Sequence, residues 1–322
     1  MTPAFHCFAN CASPILPALD STASPIAYSL IIATFERPEE LEITLASIAA
    51  QQRPPRQTII IDSSRDDRTE ALATRWSGKL PLRYEHSDLR SAAQQRNRGA
   101  RLADPATDAV LGFLDDDITL YPDTTAKVLR VFETDPDEQT GGVSVRLDEV
   151  FRPEPHGLLW WYYRLQAGFP DRTYGGRLFG PAINCLPCYT ESDGDLISAD
   201  WLNSGCVFYR TAPFLREEFP LFDGYSFMED VHLSARIART HRLYFHTTAR
   251  CQHRDGNNAL KRDVVNLARQ RIHNQRVVAK DVLGLSGAGF ELKLLLHKAF
   301  ASISVVRRRE PAWKQELLGT WT

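Results

Sequence analysis

The chain has 322 residues, of which 43% are apolar and 24% are charged, as in an average soluble globular protein. Its 38 lysines and arginines nearly balance 40 aspartates and glutamates, which excludes a general nucleic-acid coat protein and an acidic disordered tail. The longest apolar run, residues 158–163, is far shorter than the roughly 20 residues that cross a bilayer. We therefore expect a soluble protein of mixed fold that is either an enzyme or a binding protein.

The N-terminal segment and the cysteines bear on where the protein resides. Residues 1–26 are rich in Ala, Pro, Ser and Thr but lack the apolar stretch of a secretory signal, so we expect a loose leader. Six cysteines are too few for a disulfide framework, which favours a cytoplasmic protein. The positions of Cys185, Cys188, Cys251 and His253 leave a zinc site open. Because no second close pair follows, buried reduced thiols are the favoured interpretation.

Strands and helices alternate along the first part of the chain. Short aliphatic runs predict buried strands, and apolar positions at helical spacing predict helices. The predicted strands are 28–33, 58–62, 82–84 and 109–114, and the predicted helices are 39–50, 69–76 and 91–102. This alternation predicts an α/β fold with a parallel sheet, in which ligands bind beyond the carboxyl ends of the strands. Thr34, Asp62 and Asp115–Asp117 each follow a strand, so we expect them at one edge of the sheet.

The next part of the chain is less regular. Residues 145–200 show weak periodicity and include four consecutive aromatic residues, so we expect irregular cover over the sheet. Residues 197–209 predict a strand and a turn, and a helix is expected to begin near Met228. Residues 243–245 predict one more strand.

Residues 259–322 are expected to form a basic helical extension. One predicted helix face, which precedes Arg307–Arg309, carries apolar side chains at Leu292, Leu295, Leu296, Ala299, Ile303 and Val306. A basic amphipathic helix can lie on an anionic membrane surface, which would make the protein peripheral to the inner face of the membrane. The helix can instead pack on the domain with a solvated basic end, and packing is the interpretation we favour.

Two acidic motifs are candidates for the chemistry. The carboxylates of Asp115–Asp117 repel one another unless a cation or hydrogen-bond donors hold them, and their oxygens suit Mg²⁺ or Mn²⁺. A solvated acidic turn is the alternative, although the buried strand before it would present the carboxylates from a rigid element. Glu229 and Asp230 begin a helix, where they can cap the helix or take a proton from an attacking hydroxyl.

Two further residues could complete such a site. Arg96 carries the guanidinium group that neutralises charge near phosphates, but its pairing with Asn97 is no signal by itself. His253 could be a metal ligand, whereas a lone histidine more often has a structural role.

The order of these motifs resembles the family 2 inverting glycosyltransferases, which have the GT-A fold. Each motif is weak alone, and the ordered set, from residue 28 to about residue 255, carries the resemblance. Residues 29–38 are similar to the family's first strand and nucleotide loop, and residues 59–66 are similar to its second strand and acidic turn. Residues 94–99 resemble its Ala-Arg-Asn-x-Gly helix, and residues 113–117 resemble its D-x-D motif. Residues 200–206 resemble its acceptor loop, and residues 227–230 resemble its Glu-Asp motif. The resemblance implies a catalytic domain over residues 27–258, with a nucleotide-sugar half at 27–125 and an acceptor half at 126–258.

The resemblance also implies roles for the matching positions. The residues expected to contact the donor are Thr34, Glu36, Asp62, Arg96, Asp115 and Asp116. The residues expected to bind a divalent metal, Mn²⁺ or Mg²⁺, are Asp117 and His253. The expected acceptor-side residues are Trp201, Gly205 and Glu229, and the expected general base is Asp230. Ser63 and Ser64 occupy positions where the family often has Asp-Gly, so the contacts to the nucleobase of the donor stay open.

The implied reaction transfers one sugar, with inversion, from a UDP- or dTDP-sugar to a hydroxyl of a glycan or lipid-linked acceptor, without a nucleic-acid partner. The sequence lacks the Gln-x-x-Arg-Trp motif of processive synthases, so we expect a single addition. A nucleotidyltransferase of related α/β fold would need a Gly-rich basic loop where the chain has Thr34–Pro38. A non-catalytic carbohydrate-binding protein could instead stack sugars on residues 160–163.

Overall fold

The structure is a computed structural model that describes residues 25–149, 155–168, 174–187, 194–222, 227–254, 263–308 and 310–322. The described strands are β1 (Tyr28–Thr34), β2 (Gln57–Asp62), β3 (Leu82–His86), β4 (Val110–Asp115), β5 (Ile118–Leu120), β6 (Thr140–Leu147), β7 (Leu178–Phe179), β8 (Ile183–Asn184), β9 (Leu196–Ala199), β10 (Cys206–Arg210) and β11 (Arg242–His253). The described helices are α1 (Pro38–Ala49), α2 (Arg68–Trp76), α3 (Ala92–Leu102), α4 (Thr124–Glu133), α5 (Gly157–Ala167), α6 (Thr211–Glu217), α7 (Glu229–Ile237), α8 (Val264–Asp281), α9 (Gly287–Arg308) and α10 (Trp313–Trp321).

One mixed sheet organises the chain. Its strand order is β3-β2-β1-β4-β10-β6-β11-β5, with β9 also paired to β11. The first four strands in this order are parallel, as the alternation predicts, and β6 and β11 are also parallel. Strand β10 runs antiparallel between β4 and β6 and joins the two halves of the sheet. The predicted α/β fold with helices around a mostly parallel sheet is thus confirmed.

Both faces of the sheet are buried because successive residues of each strand point to opposite sides. Ile32 of β1 lies in one apolar cluster with Leu41, Leu45 and Ile48 of α1. The neighbouring Ile31 lies in a second cluster, on the other face, with side chains of α3, α6 and α7. Burial on both faces explains why β1 and β2 are continuous aliphatic runs rather than alternating ones.

Gly99 allows α3 to lie directly on the sheet. A Cβ atom at this position would overlap the Ile31 side chain and would approach Ile61 to 3.3 Å. The N-terminus of α3 is capped by Ser91, whose hydroxyl accepts a hydrogen bond from the Gln94 amide. The close approach carries the N-terminal half of α3 toward the carboxyl end of β4.

The segment 145–200 is more regular than the sequence analysis predicts. Strand β6 extends to Leu147, α5 follows, and β9 pairs with β11. The expectation of irregular cover is wrong for α5, whose Tyr163 ring lies 5.2 Å from those of both Tyr174 and Phe179. Aromatic residues on several sides of this helix conceal the 3.6-residue period that would have revealed it.

The C-terminal helices pack on the domain, as favoured, but not through the predicted face. Helix α9 buries Phe290, Leu294 and Val305, with Phe290 and Leu294 in a cluster shared with Trp201 and Val231. The predicted face is the outer one, and its exposed large side chains are Leu292, Leu295, Ile303 and Val306. In the part of the chain that the structure describes, no helix is long and apolar enough to cross a membrane.

Candidate active site

The carboxyl ends of the parallel strands bring the predicted donor residues together. Thr34 of β1 is the register partner of Asp62 of β2, and Ala33 is the partner of Asp115 of β4. The acidic run that starts at Asp115 thus begins beside the end of β1. This juxtaposition follows from strand order alone, because parallel neighbours end at the same edge of a sheet.

Asp116 is a buried carboxylate of the run. Its Oδ2 accepts a 2.7 Å hydrogen bond from the Thr34 hydroxyl, and its Oδ1 forms a 2.8 Å ion pair with Arg37 Nη1. Its backbone carbonyl accepts a hydrogen bond from Thr44 of α1. Burial raises the pKa of Asp116 to about 7 despite the opposing effects of Arg37 and Thr34. Asp116 therefore braces the turn against α1 and the loop after β1.

Asp117 and His253 lie together at the open side of this turn. Asp117 Oδ2 pairs with Arg37 Nη2 at 2.7 Å, and its Oδ1 lies 3.2 Å from His253 Nε2. Burial alone would raise the pKa of Asp117, but His253 and Arg37 outweigh it and lower the pKa to about 2. Asp117 is therefore an ionised carboxylate at neutral pH.

Three potential metal ligands converge at this point. Asp115, Asp117 and His253 each contribute one ligand atom, and these three atoms lie within 4.8 Å of one another. Asp117 Oδ1 is buried and lies against His253 Nε2, so a cation would bind where these two ligand atoms meet. Two carboxylates and an imidazole suit Mn²⁺ and are compatible with Mg²⁺. The residues therefore fit a divalent metal, and Asp115, expected to contact the donor, belongs to the same group.

Arg96 connects the acidic run to the second acidic motif. Its Nη2 lies 2.5 Å from Asp115 Oδ1, and its Nη1 lies 3.5 Å from Glu229 Oε1. The guanidinium group is almost fully buried and lies over the Phe219 ring at 5.4 Å. Because Arg96 Nε forms no hydrogen bond within the described residues, the group retains a donor for a further ligand.

Glu229 and Asp230 form a buried acidic pair at the start of α7. Burial and the neighbouring Asp230 charge raise the pKa of Glu229 to about 8, against the opposing effect of Arg96. Burial raises the pKa of Asp230 to about 6, against hydrogen bonds from the Val231 and Ser204 backbone and the charge of Arg96. Environments that separate the pKa values of two neighbouring acids commonly assign them different roles. The two carboxylates titrate as a pair, and burial makes both more basic than ordinary acids.

The loop after β1 is tied to the end of β2. The Glu36 amide donates a 2.7 Å hydrogen bond to Ser64 Oγ, and Ser64 donates to Asp62 Oδ1. The Tyr84 hydroxyl donates to Asp62 Oδ2 at 3.0 Å, which leaves the Asp62 side chain fully enclosed. Ser64, which departs from the family pattern, thus joins two of the expected donor residues.

The expected acceptor-side residues lie at different depths. Trp201 is buried, and its indole N–H donates a 3.1 Å hydrogen bond to the Cys185 carbonyl. The Gly205 carbonyl accepts a 3.0 Å hydrogen bond from the Asp115 amide. A Cβ atom on Gly205 would approach Asp115 Oδ2 to 3.5 Å, so this loop borders the acidic run directly.

Sequence reasoning missed Arg37 and Arg254. Arg37 binds both Asp116 and Asp117, while the Arg254 backbone amide donates to the Asp117 carbonyl and its guanidinium donates to the Glu40 carbonyl. The only signal was indirect: adjacent carboxylates require donors, but nothing local identifies which arginines supply them.

The described cysteines give no support to a zinc site. Among the described residues, the group of possible metal ligands is the one formed by Asp115, Asp117 and His253, and it contains no cysteine. Cys185 lies in the aromatic cluster beneath α5, and Cys251 packs near Cys206 in the core beside the sheet. These three thiols are buried and form no disulfide, whereas Cys188 lies outside the described residues.

Comparison with known proteins assigns the first half of the domain to a family. Residues 29–186 match the model of glycosyl transferase family 2, and this segment belongs to that family. This segment is thus a glycosyltransferase family 2 domain with the GT-A fold. The chain matches no curated protein sequence.

Solved structures show the same fold at low sequence identity. Mannosyltransferase PcManGT from Pyrobaculum calidifontis, solved with GDP-Man and Mn²⁺, has a TM-score of 0.54 and 15% identity over 95% of this chain and 88% of that chain. TarS 1–349 from S. aureus has a TM-score of 0.52 and 16% identity over 86% of this chain and 71% of that chain. GalNAc-T7, solved with UDP, GalNAc and Mn²⁺, has a TM-score of 0.54 and 17% identity over 73% of this chain and 44% of that chain.

Proposed function

We propose that the protein is an inverting, divalent-metal-dependent glycosyltransferase that adds one sugar from a UDP- or dTDP-sugar to a hydroxyl of a glycan or lipid-linked acceptor. The observation that carries this proposal is the chain of contacts Asp115–Arg96–Glu229. It links the carboxylates that border the expected donor site to an acidic pair suited to deprotonating an acceptor. The donor and acceptor sites would therefore share one arginine.

Metal dependence is supported by the chemistry of the donor set. Asp115, Asp117 and His253 would hold Mn²⁺ or Mg²⁺, since Asp117 is ionised and its buried Oδ1 faces the His253 imidazole. A bound divalent cation supplies positive charge to a departing nucleoside diphosphate. PcManGT and GalNAc-T7 have both been solved with Mn²⁺, which agrees with this choice of metal.

Asp230 is the better candidate for the general base. Its pKa, raised to about 6, keeps it ionised at neutral pH while making it a stronger base than an ordinary aspartate. Glu229, with a pKa raised to about 8, is protonated under the same conditions and can donate a hydrogen bond. Arg96 lies against Glu229 and lowers the pKa of both acids.

The proposed step is a single displacement. The acceptor hydroxyl gives its proton to the Asp230 carboxylate as its oxygen attacks the anomeric carbon of the sugar. The bond from that carbon to the diphosphate oxygen breaks, and its electron pair leaves with the nucleoside diphosphate. Arg96 stabilises the negative charge that develops on this leaving group. Attack opposite the leaving group inverts the anomeric configuration.

A panel of nucleotide-sugars tests the proposal. The protein is incubated with each donor and candidate acceptors in Mn²⁺ or Mg²⁺, and the nucleoside diphosphate released is measured. Release with a UDP- or dTDP-sugar, lost on chelation, is expected, together with an inverted product by NMR. Pyrophosphate release from a nucleoside triphosphate would instead identify a nucleotidyltransferase. Sugar binding without turnover would identify a carbohydrate-binding protein.

A further inference from the structure

Helices α5 and α9 lie side by side in antiparallel order. The Tyr162 ring stacks on Phe300 at a centroid distance of 3.9 Å, and the Tyr162 hydroxyl lies 2.8 Å from His297 Nδ1. One turn further along α5, Gln166 Nε2 donates to the Lys293 carbonyl, and Lys293 Nζ donates to the Gln166 carbonyl. These contacts fix the rotation of each helix about its own axis.

The fixed rotations direct a set of apolar side chains outward. On α5, Leu158, Trp161 and Leu165 share a face and are 74%, 64% and 62% exposed. On α9, the outward side chains follow a helical spacing on the side opposite the buried Phe290 and Leu294. They are Leu292, Leu295, Ala299, Ile303 and Val306. We call the outward faces of the two helices the α5–α9 face.

The charged residues of α5 and α9 are mostly basic, although Arg308 is paired with Glu310 and Glu316. The sequences of α5 and α9 contain the basic residues Arg164, Lys293, Lys298, Arg307 and Arg308 and a single acid, Glu291. Glu291 pairs with Arg276 of α8 through two 2.8 Å contacts. An apolar surface with an exposed tryptophan and the exposed cations Arg164 and Arg307 matches the interface of an anionic bilayer.

The face also lies behind the expected acceptor side. Tyr163 of α5 packs on Tyr174 and Phe179, and this cluster includes Cys185, whose carbonyl accepts the Trp201 indole hydrogen bond. Leu178 of the adjoining strand shares a second cluster with Trp201 and with Val231, which follows the acidic pair. Two packed layers therefore connect the α5–α9 face to Glu229 and Asp230.

We propose that the α5–α9 face docks on the surface of an anionic phospholipid bilayer and presents the acceptor side to lipid-linked substrates. The docking is peripheral, with the two helices lying in the plane of the headgroups. Only the statement about lipid-linked substrates rests on the proposed function; docking itself does not depend on it. Helix α5 supplies the anchoring tryptophan, so α9 forms only one half of a two-helix surface.

Vesicle co-sedimentation of the full chain tests the docking. We expect binding to phosphatidylcholine vesicles that contain about 30% phosphatidylglycerol, and weaker binding to pure phosphatidylcholine or in high salt. The double variants Trp161→Gln/Leu165→Gln and Leu295→Gln/Ile303→Gln should each reduce binding by about tenfold. Ile43→Gln is the matched control, since Ile43 on α1 is 49% exposed and Leu295 is 50% exposed.

The outcomes separate docking from catalysis. Wild-type levels of vesicle binding in both double variants, or no binding by the wild-type chain, would overturn the proposal. Light scattering could instead show that the wild-type chain is a dimer, that both double variants are monomers and that none of them binds vesicles. This result would overturn the proposal and assign the face to contact with a second copy of the chain. Nucleoside diphosphate release with a water-soluble acceptor should be unchanged in these variants. If the wild-type chain released no nucleoside diphosphate, that result would count against the proposed function and would leave the docking proposal standing.

Discussion

Arg96 Nη2 lies 2.5 Å from Asp115 Oδ1, which joins the N-terminal half of α3 to the end of β4. The same guanidinium group reaches Glu229 at the start of α7. Residues from three separate parts of the chain thus meet around one buried positive charge. Because the arginine lowers the pKa of each acid in the buried pair, its effect can be measured through the pH dependence of catalysis.

The first prediction concerns Asp230. Replacing Asp230 with Asn should lower kcat by about 10²- to 10⁴-fold, since general-base catalysis contributes an effect of this size. Nucleotide affinity, measured by calorimetry, should remain within about twofold of wild type because the base acts on the acceptor. Glu229→Gln is the matched control: it resembles a protonated Glu229 and should retain more activity than Asp230→Asn. Equal turnover of Asp230→Asn and wild type would refute the assignment.

The second prediction concerns pH. Asp230 must be ionised to accept a proton, and burial raises its pKa to about 6. Activity should therefore be present above this pH and should be lost as the pH falls through it, well above the range of an ordinary aspartate. A profile of kcat against pH in saturating donor and acceptor checks this. A profile that stays flat down to pH values near 4 would exclude Asp230 as the base.

The third prediction concerns Arg96. Arg96→Gln should lower kcat by about 10²-fold because the charge that stabilises the leaving group is lost. It should also move the acidic limb of the pH profile to higher pH, because Arg96 lowers the pKa of Asp230. Arg96→Lys keeps the charge and should leave the limb near its wild-type position. If the acidic limb of the pH profile did not shift in Arg96→Gln, we would conclude that the arginine has only a structural role.

The fourth prediction concerns the metal. Asp117→Ala should abolish the Mn²⁺-dependent part of nucleotide binding, since Asp117 provides an ionised carboxylate beside Asp115 and His253. His253→Ala should weaken Mn²⁺ binding by about 10- to 100-fold. Calorimetric titration of nucleotide with and without Mn²⁺ measures both effects. Identical affinities in wild type and Asp117→Ala under both conditions would argue against a metal site here.

The fifth prediction concerns Gly99. Gly99→Ala should destabilise the protein by about 1–3 kcal/mol, since the added methyl group would overlap Ile31 in a packed core. Gly78→Ala is the control, because a Cβ atom there meets nothing within 4 Å. Thermal or denaturant unfolding of the two variants gives the comparison. A Gly99→Ala protein as stable as Gly78→Ala would mean that α3 can move away from β1 without cost.

The part of the sheet from β1 to β4 could be predicted from the sequence because its signals are local. Aliphatic runs, Pro38 at the start of α1 and the polar residues after each strand are all visible in short windows. Parallel strand order then places Thr34, Asp62 and Asp115 at one edge without further information. By contrast, the contacts of Arg37 with Asp116 and Asp117 join positions far apart in the chain, and no local pattern encodes them.

Helix α5 and the packing face of α9 could not be predicted, for a different reason. Aromatic residues occupy several sides of α5, so its period was hidden. On α9 two apolar faces compete, and helical spacing alone does not say which one meets the domain. The stacking of Tyr162 on Phe300 and the burial of Phe290 and Leu294 select the inner face. Tertiary packing, rather than periodicity, therefore decides which side chains remain outside.

Arg37 acts as an internal counter-ion for the acidic run. With one guanidinium group on both Asp116 and Asp117, the repulsion between neighbouring carboxylates is already offset within the folded chain. Domains whose fold depends on a cation unfold when it is chelated. Here we expect chelation to stop turnover while the melting temperature changes little. Cation concentration could then switch the enzyme on and off reversibly, without exposing its core to aggregation or proteolysis.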